Sequence, residues 1–267
     1  NLYNINDGLY KRYNQLVKKG TINTDKQKML FMVMDASKKW DNKYINSIND
    51  ETSQRFAKIS FGLVKKSDIN KDESVLLDFY NKVNKKFNLV SCMFAIHYMF
   101  ENDEKLNNFI HNINLLMKDG GFFFGTCLDG YLVSEKLKNK NEIRGEINGN
   151  PLWIIKKEYD DFDTYNVNKP LENIGKRIKV YMETINQMID EYLVDYELLK
   201  YKLGQYNIRP LNDEDLKKFK LTTSSGSFED IFNHFSKNKK NKIEEMESVH
   251  KEYSFLNRWF IFKKYSS

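Results

Sequence analysis

The amino-acid sequence predicts an α/β protein in which helices cover a parallel sheet. Three observations carry that prediction. Residues 29–130 alternate strand, helix, strand, helix, strand, the order that builds parallel sheets through helical crossovers. The strand segments are short continuous apolar runs, as burial on both faces demands. Each of the three strands ends in a polar or reactive cluster: Asp35, Ala36 and Ser37; His97 and Tyr98; and Thr126 to Asp129. Open α/β sheets bind ligands at the carboxyl ends of their strands.

The elements follow in order. "LYKRYNQLVKK" at 9–19 places Leu9, Tyr13, Leu16 and Val17 on one face, which predicts an amphipathic helix. "MLFMVMDAS" at 29–37 predicts a buried strand that delivers Asp35 at its carboxyl end. The segments 47–60 and 73–87 read as helices, the second with Asp72 or Ser74 as its cap. A strand at 88–94 and a helix at 102–117 come next, and "DGGFFFGTCLDG" at 119–130 reads as turn, strand, turn. Past residue 140 the pattern changes to short hairpin strands over 141–182, with helix resuming at 190–206. The charged stretch "HFSKNKKNKIEEMESVHKEY" reads as a solvated loop and helix face. "SFLNRWFIFKK" closes the chain with a strand.

The totals narrow the classes. With 267 residues, 40% of them hydrophobic, the chain can build one large core or two small ones. Forty-three Lys and Arg against 37 Asp and Glu give a charge of +6, which permits a polyanionic partner without requiring one. Cys92 and Cys127 lie far apart in apolar surroundings, so we expect two buried thiols rather than a disulfide or a zinc site. No apolar window reaches the length of a membrane span and no signal peptide is recognisable, so an intracellular protein with no membrane partner is expected. The chain starts without Met, and a fragment of something longer is expected. There is no Gly-rich phosphate loop, G-x-S-x-G, H-E-x-x-H or paired Cys motif, which leaves hydrolase, kinase and zinc chemistry unsupported.

Five residues are weighed between a plain and a functional reading. Asp35 is either a structural cap or an acceptor for the exocyclic amine of an adenine. His97 and Tyr98 are adjacent, so on a helix they point about 100° apart and line neighbouring sub-sites. Glu191 is either a first-turn acid that complements a helix dipole or a site carboxylate. Arg12 is by default a solvated helix charge.

The stretch "FNLVSCMFAIHYMFENDEKLNNFIHNINLLMKDGGFFFGTCLDG" (87–130) resembles the core of the messenger RNA cap guanine-N7 methyltransferases. In that family an apolar strand ends in Phe-x-x-His-Tyr-x-Phe, a helix follows, and a Gly-Gly strand runs into a Gly-Thr-Thr turn. "YKRYN", "MVMDAS", "DEYLVDYELL" and "NRWFIFKK" extend the likeness outward, and "SSGSFEDIF" and "SFLNRWF" are most similar to the capping enzymes of large DNA viruses.

The resemblance implies a Rossmann-like class I methyltransferase fold with an added antiparallel β-hairpin and helix region. The first strand and glycine loop are expected upstream of residue 1, in a larger capping enzyme. It implies one domain over 1–267: a core portion at 1–140, a cap-binding hairpin insertion at 141–190, and a helix and strands at 191–267 that complete the sheet. It implies S-adenosyl-L-methionine as cofactor, S-adenosyl-L-homocysteine as product and capped RNA as substrate. Asp35, Ala36, Ser37, Met93, Phe94 and Tyr98 would bind the cofactor. Arg12, Phe94, His97, Tyr98, Ile178, Glu191 and Asn257 would bind the cap. No residue would act as acid or base, with His97, Tyr98 and Glu191 positioning the guanine, and no metal is implied. Met93 stands where the family has Gln, and Ile178 and Asn257 stand where it has aromatics. Triphosphatase and guanylyltransferase domains of the same polypeptide and an activating subunit are the further partners implied, and for a virus the location is host cytoplasm or virion. The alternative is a catalytically inactive methyltransferase-like subunit that binds RNA or stimulates a capping complex.

Overall fold

The structure is a computed structural model that describes residues 8–24, 28–160, 165–237 and 246–266. They group into two compact units, Asn1–Lys86 and Phe87–Ser267.

In the first unit, α1 (Leu9–Lys18), α2 (Asn42–Asn46) and α3 (Glu51–Ser60) are the α-helices, and two 3-10 segments, Lys66–Asp68 and Lys71–Phe79, follow. Asp41 and Asp50 cap α2 and α3 by accepting N–H bonds from Tyr44 and Ser53. The expected strand at 29–37 does not form. Met29 and Val33 are exposed, and the extended run hangs on side chains instead: Val33 N–H donates to Ser53 Oγ at 2.8 Å and Asp35 N–H donates to the Tyr44 hydroxyl. An apolar extended segment becomes a strand only when another backbone pairs with it. Among the described residues none does. The helix expected at 73–87 is a 3-10 segment that starts earlier, capped by Asn70 in a reciprocal box with Glu73 rather than by Asp72 or Ser74. It ends at Phe79, where Tyr80 turns extended and Asn81 takes a positive φ. Ile45, Ala57, Ile59, Leu76 and Val83 form the buried interior of this unit.

The second unit holds two sheets. In the first, β1 (Phe87–Met93) pairs in parallel with β2 (Met117–Leu128) through the crossover helix α4 (Asp103–Leu116). Asn102 caps α4, whose Leu106, Phe109, Ile110 and Ile113 recur at helical spacing and are buried. The turn expected at 119–121 is absorbed into β2 as a register shift, in which Met117 faces Phe87 and Phe122 faces Leu89. Gly120, at φ 75, takes the left-handed conformation that the shift needs.

Among the strands of the described residues only β1 and β2 pair in parallel. The strand β9 (Asn257–Lys264) runs antiparallel to β2, and β7 (Ile208–Pro210) and β8 (Ser225–Ser227) run antiparallel to β9. The sheet is therefore mixed rather than parallel throughout. Phe123, Phe260 and Phe262 fill its core, with ring centroids 5.4 to 6.4 Å apart.

The second sheet is an antiparallel meander of β3 (Glu142–Ile147), β4 (Asn150–Lys157), β5 (Arg177–Met182) and β6 (Gln187–Tyr192). Between β2 and β3 lies α5 (Gly130–Lys136), capped by Asp129. The helix expected from 190 begins later: α6 (Tyr196–Gly204) starts after its cap Asp195, and residues 190–192 belong to β6. Glu191 is thus a strand residue opposite Ile178. Two short helices, α7 (Asp213–Phe219) and α9 (Ser248–Ser254), and the longer α8 (Phe228–Lys237) complete the unit. Cys127 is buried and Cys92 partly so, and both thiols are free. No helix among the described residues is long and apolar enough to cross a membrane.

Candidate functional site

The carboxyl end of β1 turns sharply. Phe94, the next residue, takes a left-handed backbone with φ 50 while its N–H donates to Thr126 O at 2.9 Å. A non-glycine residue held there stores about 1–2 kcal/mol of strain, a cost tolerated most often where function requires the geometry. The chain then winds into a 3-10 turn, Ile96–Glu101, that buries Ile96, His97 and Phe100 and leaves Tyr98 41% exposed. The His97 and Tyr98 rings meet edge to face with centroids 4.1 Å apart. Met93 and Phe94 are half-exposed beside them.

Strand β6 packs against this turn and brings Glu191 Oε2 to 3.6 Å from His97 Nδ1. The separation exceeds a good hydrogen bond. His97 Nε2 is buried without a hydrogen-bond partner among the described residues. Burial holds the imidazole neutral, down to about 4, and pushes the Glu191 carboxyl up to about 7. The close approach therefore looks like an ion pair, yet desolvation outweighs the attraction and near neutrality His97 carries no charge. The phenol of Tyr98 is raised by burial and then by the Glu191 charge.

This is a desolvated carboxyl and a desolvated imidazole that satisfy neither each other nor themselves. Such groups gain most from a ligand that brings hydrogen-bond donors. Two parallel N–H donors on the edge of a flat heterocycle would match the carboxylate and draw its proton affinity down.

The other expected residues fall as follows. Ile178 is 1% exposed and lies in the core on the same face of the meander as Glu191, so its side chain packs beside Glu191 and cannot itself face a ligand. Asn257 is buried, and its amide donates to Tyr253 O and Ser254 O at 3.0 and 3.1 Å, closing the last turn of α9. In the first unit, Arg12 is exposed on α1. Asp35 Oδ1 accepts from Ser37 N–H and Oγ–H at 2.8 and 2.7 Å, a closed Asx turn with Ala36 between them. Its Oδ2 accepts nothing from the described residues. That open carboxylate oxygen, on a turn already fixed, has the chemistry to accept an amine N–H; in the second unit half-exposed Met93, Phe94 and Tyr98 present an apolar surface.

Sequence reasoning missed two side chains on the face of the meander that carries Glu191. Tyr253 on α9 is raised strongly by burial and then by the Glu191 charge, and the Trp153 ring lies tilted against it with centroids 5.7 Å apart. Only the i, i+4 spacing of Tyr253 and Asn257 hinted that the charged segment ends in a buried helical turn.

Fold and site define an α/β protein whose mixed sheet delivers an imidazole and a phenol to a carboxylate on an attached antiparallel meander. The chain matches the mRNA (guanine-N(7))-methyltransferase domain over residues 33–265 and belongs to that family. The "Probable mRNA-capping enzyme" of Acanthamoeba polyphaga mimivirus is 28% identical over 69% of this chain and 18% of its own length. The mRNA cap guanine-N(7) methyltransferase of Candida albicans is 29% identical over 59% of this chain and 32% of its own, and that of Saccharomyces cerevisiae 28% identical over 49% and 30%. The chain thus spans a third or less of the relatives it matches. Among solved structures, an S-adenosylmethionine-dependent methyltransferase from Clostridium acetobutylicum aligns over 74% of each chain at 13% identity with a TM-score of 0.36. A superposition this loose carries no assignment.

Proposed function

We propose that this chain is the methyltransferase domain of a capping enzyme and methylates N7 of the terminal guanine of capped RNA. The observation that carries this reading is the Glu191 carboxyl, desolvated beside neutral His97 with no hydrogen-bond donor to it among the described residues. Guanine presents N1–H and N2–H side by side to such a carboxylate, and adenine presents no such pair. A site built for those two donors rejects the base that lacks them.

S-adenosylmethionine, when bound, supplies an electrophilic methyl group and leaves as S-adenosylhomocysteine. In the first unit, Asp35 Oδ2 would take the adenine amine on the turn shared with Ala36 and Ser37, and Arg12 would reach cap phosphates. In the second, Met93, Phe94 and Tyr98 would hold the methionine side. Glu191 and His97 would fix the purine plane and Tyr98 would line it, with Ile178 and Asn257 as buried supports. N7 of guanine already carries a lone pair, so neither His97 nor Glu191 has a proton to remove from it. Their contribution is orientation, worth several of the roughly 7–11 kcal/mol that positioning supplies, and a negative charge near a base that becomes cationic as it is methylated. On this reading residues 1–267 act as one domain, with 141–190 as the cap-binding insertion. Capped RNA is the macromolecular partner, other capping activities reside elsewhere in the same polypeptide, and the setting is intracellular.

The test is methyl transfer to GpppA by the complete protein and its His97→Ala variant. We expect a loss on the order of a hundredfold or more in kcat/KM with the shape of the pH profile retained, since no base is removed. Full activity of His97→Ala, or wild-type protein that neither binds cap nor transfers methyl, overturns the proposal.

A further inference from the structure

Phe94 and Phe228 leave the first sheet at the same edge. Met93 faces Thr126, Thr126 faces Trp259 and Trp259 faces Gly226, a row that crosses β1, β2, β9 and β8. Because β8 is antiparallel to β9 and β9 to β2, β8 runs in the direction of β1 and β2. Phe94 follows Met93 and Phe228 follows Gly226 by two residues, so both stand at the carboxyl edge, where such sheets bind ligands. Three strand spacings, about 14 Å, separate the two backbones at that row. Their rings nevertheless meet edge to face, with centroids 6.2 Å apart, and close the gap across the ends of β2 and β9.

The two residues differ in how firmly they are held. Phe94 is 52% exposed on a left-handed backbone, tied at its N–H to Thr126 O. Phe228 is anchored from three directions. Before it, β8 pairs with β9 and the Ser225 hydroxyl donates to Trp259 O at 2.7 Å. Around it, Asp230 N–H donates to Ser227 Oγ at 3.0 Å and Ser227 N–H donates back to Asp230 Oδ2 at 3.2 Å, a reciprocal cap that fixes Phe228 as the first residue of α8. One turn later the Phe232 ring packs on Phe255 at 5.5 Å and takes Lys251 Nζ at 5.0 Å, which ties α8 to the end of α9. An exposed ring loses rotamer freedom when a ligand orders it, and a neighbour that orders it beforehand removes that cost.

We propose that Phe228 is a further positioning residue of this site, bracing the Phe94 ring in the orientation that meets the methionine side of S-adenosylmethionine. The inference rests on the proposed role of Phe94. Phe228 touches neither cofactor nor cap and acts through Phe94. The cap and strand pairing that start α8 thus serve binding as well as folding.

Binding of S-adenosylhomocysteine to the complete protein, followed by calorimetry across a double-mutant cycle, tests this. Phe228→Ala removes the brace and Phe94→Ala removes the ring it braces. We expect Phe228→Ala to weaken S-adenosylhomocysteine about tenfold in the wild-type background, the upper end of what an aromatic pair contributes. In the Phe94→Ala background it should cost nothing further. A side chain that only stabilised the fold would lower the melting temperature in both backgrounds and show no dependence on Phe94. Phe228→Leu keeps apolar volume and loses the edge-to-face contact; it should give a loss of about threefold in the same cycle, and it replaces Phe228→Ala if that variant does not fold. A loss of equal size in both backgrounds overturns the inference. If Phe94→Ala weakens binding and the Phe228 variants do not, Phe228 alone is dismissed. If Phe94→Ala binds as wild type does, the role of Phe94 falls and that of Phe228 with it.

Discussion

Replacing Glu191 by Gln should stabilise the fold, and only in neutral and alkaline solution. In the folded chain the carboxyl titrates at about 7 because burial disfavours its charge, whereas in the unfolded chain it titrates near 4.3. A carboxyl whose folded pKa is raised adds no penalty below its unfolded value, and stability is then lost as pH rises through its folded value. Between pH 4.5 and 7 wild type accordingly loses about 3 kcal/mol on account of Glu191, at 1.36 kcal/mol for each unit of the shift. Gln keeps the shape and carries no charge. The variant and wild type should thus be equally stable at pH 4.5 and differ by up to about 3 kcal/mol, in favour of the variant, at pH 8.

His97 contributes the opposite slope. Its folded pKa is depressed to about 4, so the stability it allows is present above pH 6.5 and is lost as pH falls toward 4. In wild type the two slopes oppose each other between pH 4.5 and 6.5, and the profile there is flat. Glu191→Gln uncovers the His97 slope, and the variant becomes less stable on acidification across that window. Urea unfolding at half-unit steps from pH 4.5 to 8 measures both quantities, and all other titrating groups cancel in the difference between proteins. A difference that does not vary with pH, or one that favours wild type at pH 8, would show that the carboxyl is not desolvated beside the imidazole.

Two further outcomes are expected. Asp129 is buried, caps α5 through the N–H groups of Tyr131 and Leu132, and accepts Arg258 Nε at 2.5 Å. Asp129→Ala should therefore destabilise the protein by about 3–5 kcal/mol, because it strands a partly buried guanidinium as well as a helix end; thermal melting reads the loss, and a shift below a degree or two would contradict it. Asp35→Asn keeps an acceptor for Ser37 and turns the other oxygen into a donor, so S-adenosylhomocysteine affinity should fall about tenfold or more with the melting temperature unchanged. Calorimetry that finds wild-type affinity removes Asp35 from the adenine site.

What the sequence made legible was local. The strand at 87–93 and the helix after it follow from an apolar run, a capping Asn102 and four core residues at helical spacing, all within one crossover. The run at 29–34 looked just as apolar, yet strand formation depends on a neighbouring backbone that no window of its own residues describes. Glu191 failed for a related reason. "QMIDEY" suits either period over so few residues, and only the ladder to Ile178 decides for strand. The error mattered, since a helix would have rotated the carboxylate by 100° per residue, while a strand commits it to the face shared with Trp153 and Ile178. Tyr253 was hidden by the charges around it, which advertise solvent although the ring lies against the meander.

The pair at 3.6 Å also has an energetic logic that separates it from the other polar contacts of the molecule. Asp129 with Arg258, and Asp215 with Lys263, satisfy one another at 2.5 and 2.7 Å, as buried charges must if the fold is to keep them. His97 and Glu191 are also largely buried, and yet they leave a nitrogen orphaned and a carboxyl half ready to lose its proton. An apolar pair of the same volume would make a more stable protein. Local rules are broken in this way where a bound partner completes them, and the strained Phe94 immediately before the same turn is a second break at the same place. Two departures from the stable solution meet at one end of β1, and that coincidence is what makes it the candidate site.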